Sequence, residues 1–231
     1  MKMFPIGPDS PDKTAWWMVD LGDNRAIYSI SIKFKDYREY EGLEMRQRGR
    51  FAGFSLYISD NPMKEDGVLC YKNTLPLPPL DFNTTCIGHG RYVIYYNERL
   101  DGVTYPLGYE SSSLIELCEV NVQGCSKGVY GINCDIPCPI NCQDQKCYII
   151  NGTCLGCSSE YAGKMCKDEC AWGWYGAGCK RQCMGHCRGN ITCNHVTGNC
   201  DGGCLAGWTG KECKQRKYNI ISFTKPFKKG K

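Results

Sequence analysis

Nineteen cysteines in 231 residues are the side chains with the most chemistry to offer. A thiol can serve as a nucleophile, a metal ligand or half of a disulfide, and spacing decides among these roles. Sixteen of them crowd between Cys125 and Cys213 and repeat. Cys125, Cys134, Cys138, Cys142, Cys147, Cys154, Cys157 and Cys166 are followed by Cys170, Cys179, Cys183, Cys187, Cys193, Cys200, Cys204 and Cys213, at an offset that grows from 45 to 47 residues. Such a period marks two copies of one small module. Zinc sites favour C-x2-C pairs, but only Cys154 and Cys157 have that spacing, and only His186 and His195 lie inside the repeats, so a zinc array fits poorly. Nothing resembles a cluster of nucleophile, general acid and base, and Cys118 has no histidine in a recognisable arrangement, so the chain does not read as an enzyme. Disulfides remain, and they imply an extracellular or secretory compartment.

The elements that must position these thiols are turns. Tyr130-Gly131-x2-Cys134, Tyr161-x-Gly163-x2-Cys166, Tyr175-Gly176-x2-Cys179 and Trp208-x-Gly210-x2-Cys213 share one pattern. Glycine there permits positive φ, and the aromatic can cover a disulfide. Modules of roughly 45 residues bury too little surface to fold unaided, so bridges of about 3 kcal/mol each must make up the deficit. Three N-glycosylation triplets begin at Asn83, Asn151 and Asn190, in stretches that read as turn-rich and polar. The net charge of +4 is small and no basic stripe interleaves with aromatics outside the tail, which argues against nucleic acid. No run of apolar residues is long enough to span a membrane, and the first residues lack the apolar core of a signal peptide.

The phrases CSKGVYGINC, CAWGWYGAGC and CLAGWTGKEC resemble the laminin-type EGF-like repeats of multiple-EGF-domain scavenger and engulfment receptors. The resemblance covers Cys125 to Cys213 with no cysteine missing. It implies the pairs Cys125 with Cys134, Cys138 with Cys147, Cys142 with Cys154, Cys157 with Cys166 and Cys170 with Cys179. It then implies Cys183 with Cys193, Cys187 with Cys200 and Cys204 with Cys213. Spacing alone leaves the connectivity open. Calcium is not expected in these repeats, because no acidic and amide ligands precede Cys138 or Cys183.

The first 123 residues have a different texture. Ile30, Ile32 and Phe34 alternate with Ser31 and Lys33; Phe54, Leu56 and Ile58 with Ser55, Tyr57 and Ser59; Cys118, Val120 and Val122 with Glu119 and Asn121. A period of two predicts half-buried strands, Tyr92 to Tyr96 adds another, and turn clusters at 59–62 and 75–79 separate them. No helical stripe competes. The fold class is mainly β: a galactose-binding-like jelly roll followed by small disulfide-rich EGF-like repeats.

Trp16-Trp17-Met18-Val19-Asp20-Leu21-Gly22, Arg50-Phe51-Ala52-Gly53-Phe54, Gly90-Arg91-Tyr92-Val93 and Leu117-Cys118-Glu119-Val120 together resemble the fucose-binding F-type lectins, over about Ala15 to Val122. The resemblance implies a bridge between Cys70 and Cys86 and a partner for Cys118 near the domain start. No such partner precedes Cys70, nor does any histidine precede His89 where the family places a sugar ligand. An N-terminally incomplete chain would account for both and for the missing signal peptide. The alternative is an unpaired Cys118 buried as a small hydrophobe.

In the lectins, forked guanidinium donors grip ring oxygen and hydroxyls. Arg50 matches the second basic position and Lys35 lies near the first, but Asp36 adjoins Lys35, the loop to Arg50 is too long, and no adjacent cysteine pair exists. Arg38, Arg46, Arg48 and Arg50 otherwise read as a solvated basic loop. The resemblance also implies a structural calcium in a full-length lectin domain, with Glu119 as one ligand. A lone carboxylate cannot hold calcium, and Glu119 on an exposed strand face is the simpler reading. His89, between two glycines, reads as structural and placed in a turn.

The expected organisation is a lectin-like jelly roll over 1–123, EGF-like repeats over 124–169 and 170–213, and a disordered basic tail over 214–231 carrying Lys225, Lys228, Lys229 and Lys231. The expected function is extracellular recognition of glycans, or of cell-surface or microbial glycoproteins, with the parent protein membrane-anchored. The rival is an adhesion or matrix protein that reads no sugar.

Overall fold

A computed structural model of the protein describes residues 6–37, 44–74 and 77–218, apart from the side chain of Asn190. Arg38, the Leu75-Pro76 part of the expected turn cluster and the four tail lysines lie outside the described residues. The chain forms two compact units, Met1–Ile140 with Gln145–Leu155, and Asn141–Asp144 with Gly156–Lys231.

The first unit is built on one antiparallel sheet of β1 (Thr14–Phe34), β2 (Ser55–Ser59), β3 (Val68–Lys72), β4 (Asp81–Glu98) and β5 (Leu117–Cys125), in the order β3-β2-β4-β1-β5. Its two longest strands serve two layers. The start of β1 pairs with the end of β4, which also pairs with β2, whereas the end of β1 pairs with the start of β4 and with β5. A register shift between Asp20 and Arg25 separates these halves, and such a bulge bends the strand. Side chains from both halves meet in one core: Phe34 lies 6.4 Å from Tyr95 and Phe82 lies 5.2 Å from Phe54 between ring centroids. The alternation predicted for residues 30–34 is therefore one face of a layered β fold, with Ile30, Ile32 and Phe34 buried and Lys33 exposed.

Three local readings change. Residues Glu44–Phe51 form a helix, α1, where a solvated basic loop was expected. Glu44 in its first turn and Arg48 and Arg50 in its last complement the helix dipole, and Glu44 pairs with Arg48 at 3.5 Å. Phe51 anchors it by stacking on Phe34 with centroids 3.8 Å apart. His89 stands inside β4 opposite Ala26, not in a turn. Its flanking glycines are needed because Ile58 lies across them, 2.9 Å from where a Cβ on Gly88 would sit. Asn83 is exposed on β4 opposite Ser31, and only Asn151 of the two described acceptors lies in a turn.

The cysteine region repeats one small hairpin four times. β6 (Val129–Tyr130) pairs with β7 (Ile136–Pro137), β8 (Tyr161–Ala162) with β9 (Asp168–Glu169), β10 (Trp174–Tyr175) with β11 (Arg181–Gln182), and β12 (Trp208–Thr209) with β13 (Gln215–Arg216). In each, the amide of the cysteine donates to the carbonyl of the glycine three residues before, as Cys179 does to Gly176 at 2.9 Å. Glycine and cysteine both have positive φ, 80° and 55° in that turn. A bridge spanning nine residues closes each hairpin: Cys125–Cys134, Cys157–Cys166, Cys170–Cys179 and Cys204–Cys213. Cys138–Cys147, Cys183–Cys193 and Cys187–Cys200 tie the intervening loops, Cys70–Cys86 joins β3 to β4, and Cys142 and Cys154 are also disulfide-bonded. The hairpin aromatics pack on backbone as well as on sulfur: a Cβ at Gly152 would overlap the Tyr130 ring, and one at Gly198 the Tyr175 ring.

β5 runs through Cys125, so the boundary expected after residue 123 falls within a strand. Ala26 of β1, Cys125 and Ile149 form one buried cluster, Arg25 donates to the Ser126 hydroxyl at 3.1 Å, and Lys146 pairs with Asp60 at 3.5 Å. Most of the first cysteine module thus belongs to the sheet unit. At the start of the expected tail, Gln215 and Arg216 form β13 and Lys217 donates to the Gly207 carbonyl at 2.8 Å, while residues 219–231 lie outside the described residues.

Candidate functional site

Lys35 and Arg50 lie far apart in sequence and converge on a third residue that sequence reasoning missed, Glu116. Lys35 follows β1, Arg50 lies in the last turn of α1, and Glu116 immediately precedes β5. Hydrogen bonds to main-chain carbonyls tie their segments together: the Lys35 amide donates to the Glu116 carbonyl at 2.8 Å, the Leu114 amide donates to the Arg50 carbonyl at 3.0 Å, and the Gln47 side-chain amide donates to the Lys35 carbonyl. Among the described residues, one Glu116 carboxylate oxygen faces the Arg50 guanidinium at 3.5 Å, and the other is buried with no hydrogen-bond partner.

Exposure divides the pair. The Glu116 side chain is 2% exposed and that of Arg50 is 32% exposed. Burial raises the Glu116 pKa above the ordinary carboxylate value, opposed by the positive charges of Arg50 and Lys35 and by the Tyr37 hydroxyl. Lys35 sits with its ammonium 4.4 Å over the Tyr37 ring, and contact with Tyr37 raises the Lys35 pKa. The arrangement is a partly exposed forked donor backed by a buried anion, with a second cation and an aromatic ring beside it. Such a face can donate to hydroxyl, ring or acidic oxygens of a polar ligand.

α1 is held in place from behind by Arg99, which is 2% exposed. Its guanidinium donates to the carbonyls of Gly49 and Ala52, both at 3.1 Å, of Glu98 at 2.8 Å and of Glu110 at 2.9 Å. The first two lie at the C-terminal end of α1, where carbonyls lack helical partners. Burial lowers the Arg99 pKa without removing its charge in any ordinary solution. Nothing local in the sequence marks Glu116 or Arg99: both are ordinary charged residues until the fold closes around them.

The other sequence candidates are placed elsewhere in chemistry. Glu119 is exposed on β5 and pairs with Lys33 at 3.3 Å, and among the described residues no group of three or more His, Cys, Asp or Glu is placed to hold a metal ion. Cys118 is unpaired and exposed, which corrects the reading of a buried thiol. β5 is an edge strand and its register with β1 shifts between Lys33 and Phe34, so Leu117 and Val120 turn to the core while Cys118 does not. His89 is half-buried beside Lys146 and Asp60, and burial lowers its pKa. No helix among the described residues is long and apolar enough to cross a membrane.

No family model matches the chain. It is 31% identical to the EGF-like and EMI domain-containing protein 1 of Mus musculus, over 38% of this chain and 17% of that protein. It is 33% identical to the angiopoietin-1 receptor of Danio rerio, over 38% of this chain and 8% of that protein. Over 17% of this chain and 5% of the other, it is 48% identical to the scavenger receptor class F member 2 of Mus musculus. These relatives are EGF-domain and receptor proteins, and the chain spans less than a fifth of each.

Proposed function

We propose that the chain is an extracellular recognition module in which the sheet unit binds glycans or glycoproteins on cells or microbes and the cysteine modules carry it. The observation that carries this reading is Arg50, whose guanidinium is held from behind by buried Glu116 and faces solvent beside Lys35 and Tyr37. The resemblance to F-type lectins and the similarity to EGF-domain and scavenger receptors support it, as does the disulfide density, which suits an oxidising compartment. A place in a scavenger, engulfment or adhesion receptor follows, with glycans on Asn83, Asn151 and Asn190. The test is retention on a column bearing fucose or mixed glycans, released by free sugar. Absence of retention at neutral pH removes the lectin reading.

A second reading, an adhesion or matrix protein that reads no sugar, is favoured by one observation. Arg50 and Lys35 already have intramolecular partners in Glu116 and Tyr37, so a sugar would compete with contacts in place. Binding to glycoprotein that persists after enzymatic deglycosylation would select it.

A further inference from the structure

Glu116 is too deep to touch a ligand, yet it governs the residue that would. It is 1% exposed, its main chain is pinned by the Lys35 amide, and it reaches Arg50 through one carboxylate oxygen. Its other oxygen is buried without a hydrogen-bond partner among the described residues. A buried acceptor that lacks a donor is costly, and a proton relieves that cost directly. The groups facing it are Arg50 from α1, Lys35 and Tyr37 from the segment after β1, and Tyr95 from β4. Arg50, Lys35 and the Tyr37 hydroxyl favour the ionised form, and burial, the largest influence, favours the neutral one.

We propose that Glu116 is a positioning residue for Arg50, clamping its guanidinium in place while the carboxyl is ionised and letting it go when the free carboxylate oxygen takes up a proton as the pH falls. The inference rests on the glycan reading of this face. The consequence is a recognition surface that takes its ligand at neutral pH and discharges it in acid. The step is a protonation alone. The ion pair becomes a contact between the Arg50 cation and a neutral carboxyl, which loses the Coulomb attraction, and the Arg50 side chain, a third exposed, is free to leave its pose.

The test has two arms on the intact chain. In the first, the Glu116 side-chain carboxyl carbon is followed by NMR across a pH titration in wild type and in Arg50→Gln. The expected result is titration above the exposed glutamates, shifted further up when Arg50 is replaced. In the second, retention on a column of fucosylated, galactosylated and sulfated oligosaccharides is compared near neutrality and near pH ~5.5. Wild type is expected to weaken about tenfold in acid, the scale of one charge-assisted hydrogen bond, and Glu116→Gln to bind weakly with a flat profile. Titration of Glu116 alongside the exposed glutamates, or indifference to Arg50→Gln, overturns the clamp whatever the column shows. Retention that is unchanged or stronger in acid, or a profile that Glu116→Gln leaves unaltered, overturns the discharge. No wild-type retention at any pH, with the titration as expected, overturns the proposal through its premise and shows that the glycan reading failed and not the clamp.

Discussion

The sheet and the cysteine modules are both assembled from antiparallel strands, yet they hold those strands by opposite means. In the sheet the core is aliphatic and aromatic, with Ile27, Ile30, Phe51, Phe54 and Leu56 at 0–1% exposure. In the second unit the buried cluster is Tyr175 surrounded by Cys187, Cys193, Cys200 and Cys213. Strands of 18 and 21 residues persist where burial supports them, and strands of two residues persist where a covalent bridge closes the loop. A hydrophobic core constrains the folded state by removing area from water, whereas a bridge acts largely on the unfolded chain by removing its freedom. The same secondary structure therefore answers to different perturbations on the two sides.

Reduction should separate them most sharply. Each bridge contributes about 3 kcal/mol, and the second unit has little else, so reducing conditions are expected to abolish amide protection at Cys179, Gly198 and Cys213. Amides of β1 and β4 are expected to stay protected. Hydrogen exchange with mass spectrometry reads both at once, and parallel loss would break the contrast. Phe54→Ala tests the converse. Phe54 is fully buried against Phe34, Phe82 and Tyr95, and its truncation is expected to cost the sheet about 3–5 kcal/mol. Protection in the second unit should not change, since nothing in its cross-links depends on that ring.

The smallest effect concerns the seam at which the first cysteine module joins the sheet. Burial depresses the His89 pKa, so between that value and the ordinary one the unfolded chain binds protons that the folded chain does not. Stability at the seam is then lost as pH falls below about 6.5, by less than about 1 kcal/mol for so partly buried a group. Glu116 acts with the opposite sign: its raised pKa makes the folded state gain stability as pH falls through that value and lose it as pH rises. Melting temperatures of wild type and His89→Gln, compared between neutral and mildly acidic pH, isolate the histidine. A pH dependence equal in the two proteins would remove His89 from the seam.

The elements differ in how far they could be read in advance, for identifiable reasons. Ile30, Ile32 and Phe34 announce their strand because a strand repeats every two residues and one face is buried. The Gly-x-x-Cys turns announce themselves because positive φ at Gly131, Gly163, Gly176 and Gly210 suits almost no other residue. α1 does not. Its eight residues, EMRQRGRF, hold two large apolar side chains, and it stands on tertiary contacts: the Phe51 stack on Phe34 and the Arg99 guanidinium at its last carbonyls. Arg50 was visible as a candidate donor, but what it leans on was not.

The cysteine period, the turn chemistry and the alternation that makes the first part a β fold are all legible along the chain, because each is a local pattern of residue types at fixed spacing. Tertiary structure alone decided that β5 carries the sheet into Cys125, that Cys118 faces outward, and that Glu116 is the buried partner of Arg50. Burial is a property of what closes around a side chain, and no residue's type or spacing states what that will be.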